Sequence, residues 1–276
     1  MKRKAIFAAL LACTMMLNAQ TKEPAVVFYG GSPSMDESYL VSGTVSVSFD
    51  SDGNGVIKVG DEQKGSFAIS NETPVVADFR DAFTITANQD PNNTSDYYYS
   101  TFYSQKNAYR LPESGVTAYK GEVEQLNDSK LKLTSVGSFI HKGEAVLLKG
   151  TSSEYTLMPM ANEDKATGTN HLIGTEGGKT KCESTVYALS YGQNGVGFYK
   201  WEDKSIGAHK AYLMLMKVPI DGAKGVTFEF EGEPSGIESI SDNANINASM
   251  YNLKGMKVDK NYKGIVVNKG KKYIVK

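Results

Sequence analysis

TVYALSYGQNGVGFYKW, Thr185 to Trp201, decides the fold class of this chain. Two arms rich in Val, Leu, Tyr and Phe, residue types that suit a pleated surface, flank a short polar tip. Asn194-Gly195 supplies the two positive-φ positions that a type I′ turn requires. The stretch therefore predicts a β-hairpin with Asn194-Gly195 at its tip. The same pattern recurs on both sides. YYYSTFY (97–103), LKLTSV (131–136), AVLLKG (145–150), AYLMLMKV (211–218) and GVTFEF (225–230) each read as a strand bounded by turn formers. Spacings of roughly 8–15 residues between such strands suggest a sandwich.

Further towards the N-terminus, Val45, Val47 and Phe49 alternate with Ser46 and Ser48, so one face is apolar and the other polar. Ile57 and Val59, Phe67 and Ile69, then Phe83 and Ile85 continue this period of two. Amphipathic helical runs are scarce, and the chain holds 27 Gly and 16 Tyr but 1 Trp. The expected class is mainly β: one or more β-sandwich-like domains with a small C-terminal β tail. The NQDPNNTSD run, Asn88–Asp96, is a Pro-containing cluster of turn formers and marks the first expected boundary. The organisation that follows is an N-terminal β region at 20–90, a β-sandwich-like module at 97–231, a linker at 232–248 and a small β tail at 249–276. Two or three strands as short as those of the tail are marginal alone.

Residues 1–19 have the grammar of a cleaved signal peptide. Lys2, Arg3 and Lys4 precede an apolar run from Ala5 to Leu17, and Ala19 stands before a cut at Gln20. The protein is thus expected to be exported, to the medium or the cell surface. Leu10-Leu11-Ala12-Cys13 loosely matches a lipidation box, so a lipid anchor at Cys13 and a periplasmic location are the alternative readings. No later segment has the ~18–20 consecutive apolar residues of a membrane-spanning helix. Removal of the signal leaves Cys182 alone, which excludes an internal disulfide and reads as a small buried apolar group. A net charge of −1 provides no broad basic field for nucleic acid.

Among chemical motifs, Asp50-Ser51-Asp52-Gly53-Asn54-Gly55-Val56-Ile57, with Asp61 further on, has the spacing of a calcium loop. Asp50, Asp52, Asn54 and Asp61 are therefore candidate Ca2+ ligands. The flanking segments read as strands rather than helices, and a hairpin turn explains the same residues. GTEGGKT (174–180) is not a phosphate loop, because Ile173 stands where the first glycine is needed. No G-x-S-x-G elbow occurs, and His141, His171 and His209 are dispersed. Tyr97, Tyr99, Tyr103 and Trp201 are candidates for a sugar-stacking platform, with core packing as the competing reading. Eight tail lysines, among them Lys254, Lys257, Lys263 and Lys276, stand against one acid, Asp259. They either protect strand edges or contact an acidic partner.

STFYSQKNAYRLPESGVTAYKGEV, GSFIHKGEAVLLKG, ALSYGQNGVGFYKW and GAHKAYLML together resemble a module common in exported proteins of the Bacteroidota. GIESI…YNLKGMKV…YKGIVVNKGKKYIVK resembles the short tail that follows that module, a compact relative of type IX secretion sorting domains. Tyr251, Gly255, Gly264, Gly270 and Lys276 carry the tail's likeness. Val266 replaces its usual aromatic, and Asn268-Lys269-Gly270-Lys271-Lys272 opens its usual NGKK. The resemblance covers about two thirds of the chain and implies export and surface display rather than an activity. The expected role is non-catalytic, binding or structural, of an adhesin-like or glycan-facing kind. Expected partners are surface glycan or secretion and surface machinery. A secreted hydrolase acting on surface polysaccharide or peptide is the alternative.

Overall fold

The computed structural model describes residues 20–31, 34–69, 74–89, 96–123, 130–161, 164–192, 195–215, 225–231, 237–239, 250–252, 257–258, 264–268 and 271–275. The expected signal peptide 1–19, with Cys13, lies outside them. Among the described residues every regular element is a β-strand. The first are β1 (Gln20–Gly30), β2 (Met35–Leu40), β3 (Val45–Phe49), β4 (Gly55–Val59), β5 (Glu62–Phe67), β6 (Val75–Thr86) and β7 (Asn88–Gln89). The middle of the chain forms β8 (Tyr98–Phe102), β9 (Ala108–Arg110), β10 (Val116–Glu122), β11 (Lys130–Ser135), β12 (Phe139–Ile140), β13 (Val146–Gly150) and β14 (Glu154–Met160). There follow β15 (Leu172–Thr175), β16 (Val186–Gly192), β17 (Gly195–Lys200), β18 (Lys210–Met214) and β19 (Val226–Phe230). The C-terminal strands are β20 (Ile237–Ser239), β21 (Met250–Asn252), β22 (Lys257–Val258), β23 (Gly264–Asn268) and β24 (Lys271–Val275).

Residues Met1–Phe228 and Glu229–Lys276 form two compact units. In the first, one sheet has the order β12-β9-β14-β6-β1-β2 and a second the order β15-β18-β16-β17-β19-β11-β10-β13-β8-β7. The long second sheet curls until β18 lies against β8, where the Tyr103 N–H donates to the His209 carbonyl at 3.0 Å. Strands pass between the sheets at corners. β6 belongs to the first sheet, and the chain turns at the buried Ala87 to enter the second as β7. The Ala87 N–H is satisfied there by the Ser153 carbonyl at 2.8 Å.

The core lies between the inner faces of these sheets. Phe83, Ile85, Tyr109 and Leu157 from the first pack on Phe102, Ala118, Val146 and Leu148 from the second. Phe83 meets Phe102 and Tyr109 edge to face at 5.2 and 5.5 Å, and Phe102 meets Tyr109 at 5.0 Å. Such ring pairs add about 0.5–1.5 kcal/mol each beyond the area they bury. The Tyr109 hydroxyl donates to the Asp81 carbonyl at 3.0 Å, and burial pushes its pKa up to about 12. A separate sheet, β3-β4-β5, covers β1 and β2, with Ile57 seated on Val26 and Phe28. In a second core cluster, Cys182 packs with Val186, Trp201, Ile206 and Tyr212, and burial pushes its thiol pKa up.

Three expectations about organisation change. The boundary at 88–96 does not divide two folding units. β6 pairs along Ile85↔Tyr155 and Phe83↔Leu157 with β14, so the 20–90 region and the 97–231 module share a sheet and a core. The 185–201 hairpin forms, but its last pair is Gly192↔Gly195, so its tip is Gln193-Asn194, which lies outside the described residues. At Gly192 the Tyr199 ring lies across the space a Cβ would occupy, 2.3 Å from it, so only glycine fits there. Finally, Ile237–Ser239, expected within the 232–248 linker, pairs in parallel with β24. The second unit's sheet has the order β20-β24-β23-β21-β22.

The two-unit division has a direct consequence. A chain ending at Glu231 is expected to retain the cooperative unfolding transition of the first unit, with its midpoint within a few degrees of the full chain. Thermal unfolding followed by near-ultraviolet circular dichroism tests this. Loss of the transition would make 232–276 part of the first core.

Candidate functional site

The residues singled out from sequence fall in several places. Asp50 closes the β3–β4 turn on itself. Its carboxylate accepts from the Asp52 N–H at 2.9 Å, the Asn54 N–H at 2.8 Å and the Asn54 side-chain amide at 3.1 Å. The hydrogen bonds from Asn54 hold the Asp50 carboxyl below the usual carboxylate range. Gly53, at φ +83°, provides the left-handed position of the turn. Asp61 follows Gly60 at the opposite end of β4, whose five residues put it roughly 15 Å from Asp50 at about 3.3 Å per residue. The four oxygen donors are not brought together, and no cluster of three or more His, Cys, Asp or Glu suited to a metal occurs among the described residues.

The aromatic candidates do not form an open platform either. Tyr99 is buried against Phe228, with ring centroids 6.2 Å apart, and Trp201 is buried in the Cys182 cluster. The Trp201 indole N–H donates to the Ser205 carbonyl at 2.9 Å. Tyr97 is exposed, with the Lys149 ammonium 4.2 Å from its ring centre. A curled sheet turns most of its aromatic side chains inward, which is why the stacking reading fails for Tyr99 and Trp201. In the second unit Tyr251 is exposed on β21, and Gly264 opens β23 opposite Val275. Gly255, Gly270 and Lys276 lie outside the described residues.

Tyr103, the remaining candidate, leads to the one cleft that gathers chemistry. Its ring lies across Gly174, where a Cβ would fall 1.9 Å from ring carbons, so only glycine fits there. Beside it opens a cleft of about 550 Å³ lined by Gln20, Lys22, Phe83, Glu176, Ala208, His209 and neighbours, with Lys210 in its wall. The volume is in the ~300–1,000 Å³ range of small-ligand sites. β1 supplies Gln20 and Lys22, opposite Ile85 and Phe83 of β6. β15 ends just before Glu176, and β18 begins at Lys210. Gly178, at φ +84°, lets the 176–180 turn pack against the Ile206 carbonyl, so the glycines of GTEGGKT serve loop packing.

Each side chain here has a definite environment. The Lys22 ammonium pairs with Asp81 at 3.1 Å. Glu176 accepts from the Gln105 N–H at 2.9 Å and lies 3.7 Å from His209 Nδ1. His209 is buried at φ +56°, a left-handed conformation that costs a non-glycine residue about 1–3 kcal/mol. It is held there by the Tyr103 N–H donating to its carbonyl, by its own Nδ1 against the Tyr103 carbonyl, and by the Phe83 ring at 4.6 Å. Burial lowers the His209 pKa, against an opposing pull from Glu176. The Gln20 amide donates to the carbonyls of Thr101 at 3.0 Å and His209 at 3.2 Å, yet its Oε1 is buried with no partner. Lys210 Nζ is likewise buried without a partner, and burial pushes its pKa down to about 7.

The site was missed from sequence because its parts are 20–22, 83, 176 and 207–210, joined by no motif. The nearest signal was the Gly-rich 174–178 turn and the GAHKAYLML segment. Chemically, the residues lining the cleft carry an amine, an imidazole, a carboxylate, an amide and an aromatic ring. Set against protein-family models, curated proteins and solved structures, the chain matches none.

An unpartnered buried amine destabilises the fold by about 1–3 kcal/mol. Lys210→Met, which keeps the stem and deletes the amine, is therefore expected to stabilise the protein by about that much near pH 6. The gain should shrink as pH rises from about 7 towards 10. In that window the folded amine has lost its proton while the unfolded one still binds it, so the wild type gains stability with pH. Urea unfolding across that range measures it. A variant less stable than wild type, or a gain independent of pH, would contradict the assignment.

Proposed function

We propose that this chain is an exported, cell-surface β protein that binds a glycan without chemical turnover, using the cleft around His209. The observation that carries this reading is that two residues lining the cleft, Gln20 and Lys210, each hold a buried polar atom without a partner, Oε1 and Nζ. Buried polar groups are nearly always paired, so two unpaired ones on residues that line one cleft point to hydrogen bonds made by something that enters it. Sugar hydroxyls both donate and accept, which suits a wall that mixes donors with acceptors. Ala208 offers exposed apolar surface to the carbon face of a ring.

The alternative, a secreted hydrolase, needs more than the cleft lining holds. Glycoside hydrolysis uses two carboxyl groups about 5–9.5 Å apart. Glu176 is the one carboxylate among the lining residues. The Nδ1 of His209 is turned to the Tyr103 carbonyl at 3.2 Å rather than towards a nucleophile. Export rests on the signal-like 1–19, and display on the lysine-rich tail as a contact for secretion or surface machinery. No helix among the described residues is long and apolar enough to cross a membrane.

Two measurements test the reading together. Cell fractionation is expected to find the protein outside the cytoplasm with Gln20 as its first residue. The purified protein is expected to bind a limited set of glycans saturably and to release no reducing ends from them. Cytoplasmic retention with residues 1–19 intact would overturn the address, and turnover of a bound glycan would favour the hydrolase.

A further inference from the structure

We infer that the cleft recognises a carboxylate on its saccharide, so that its ligand is an acidic sugar such as a uronic acid, held by Lys210 and Gln20. The inference rests on the glycan-binding reading and names the ligand class for the same site.

The distribution of charge among the lining residues carries it. Of the two ammonium groups, Lys22 is already neutralised by Asp81. Glu176 is engaged by the Gln105 amide and faces His209. Lys210 has no counter-charge and no hydrogen-bond acceptor, although an ammonium carries three donors. A hydroxyl can accept one of these, but only an anion also supplies the missing charge, and charge-assisted hydrogen bonds are roughly twice as strong as neutral ones. The unpartnered Gln20 Oε1 asks for the complementary group, a donor. A uronic acid presents both within one ring, because its carboxylate is borne on a carbon next to a hydroxylated one.

Glu176 gives the ligand a direction. Its carboxylate repels an anion and accepts hydroxyls, so the acid end is placed at Lys210 and the hydroxyl end at Glu176. The lysine stem runs beside Gly207, where a Cβ would meet only Lys210 Cγ, at 4.0 Å. Without a ligand the amine titrates near neutrality. A bound carboxylate stabilises its charged form, so binding should take up a proton at neutral and alkaline pH and weaken as pH rises. Glu176, His209, Lys22 and Asp81 are the other titratable groups facing this position. Burial lowers the His209 pKa, so its imidazole is neutral across the alkaline range in which the Lys210 amine gives up its proton. The alkaline loss therefore reports Lys210.

The test is an array of oligosaccharides in matched pairs, each uronic-acid-bearing glycan beside its carboxyl-reduced neutral counterpart, probed near pH 6 and near pH 9. Acetate serves as a free competitor. The acidic member of a pair should bind at least roughly tenfold tighter near pH 6, with the advantage falling near pH 9. Lys210→Met should abolish the discrimination, its fold checked by thermal unfolding, and Lys210→Arg should retain part of it. Equal binding of the paired members would overturn the carboxylate inference and leave glycan binding standing. Full competition by acetate would also overturn it, by assigning recognition to any small carboxylate. Binding to no glycan at either pH would overturn both.

Discussion

The edge-to-face packing of Phe83 on Phe102 and Tyr109 is the contact on which the first unit depends. Phe83 comes from β6, in the sheet built by the N-terminal segment, and Phe102 from β8, in the long curled sheet. Tyr109 comes from β9, which the β14 strand ties into the first sheet. The three rings therefore lock sheets whose strands are far apart in sequence. Replacing a buried Phe by Ala in such a setting costs about 3–5 kcal/mol, a large share of the ~5–15 kcal/mol by which a typical domain is stable.

The same ring also builds the cleft. Phe83 lies 4.6 Å from His209, so the wall of the site is the outer limit of the core. The Gln20 amide reaches across to the carbonyls of Thr101 and His209 and joins β1 to β8 and to the approach of β18. Neither half of the chain can form this cleft alone. Lys210 and His209 both cost the fold stability, one as an unpaired buried amine, the other as a left-handed histidine. Lys181 and Asp203 share the left-handed conformation and Tyr155 Oη is also buried without a partner, but at the cleft one strained residue and two unpaired polar atoms belong to residues of one lining, as expected where stability is given up for binding.

Local structure was legible in the sequence wherever one strand and its turn sufficed. The alternation of Val45, Val47 and Phe49 and the Asp50–Asn54 turn gave the β3–β4 hairpin, because Asp50 can cap its own backbone without help from elsewhere. The arms of the 185–201 hairpin were legible too, though its tip was off by one residue. Gly195 takes the positive φ, +84°, that the turn signal asks for, but it pairs with Gly192 instead of lying at the tip. Pairings across long separations were not legible. Nothing local to Phe83 or Leu157 announces that β6 and β14 are neighbours, so the turn-rich run 88–96 read as a boundary when it is a corner between sheets. The cleft was hidden for the same reason. No local pattern marks Lys210, and its amine is buried only in the folded chain.

Native-state hydrogen exchange tests the central claim, that the N-terminal strands and the following module are one cooperative unit sharing one cleft. Amides of β1 and β6 should exchange with the same opening free energy as those of β8 and β13, because breaking the Phe83 contact exposes both sheets. Exchange of residues 20–86 through a separate, lower-energy opening, with 98–150 still protected, would contradict it.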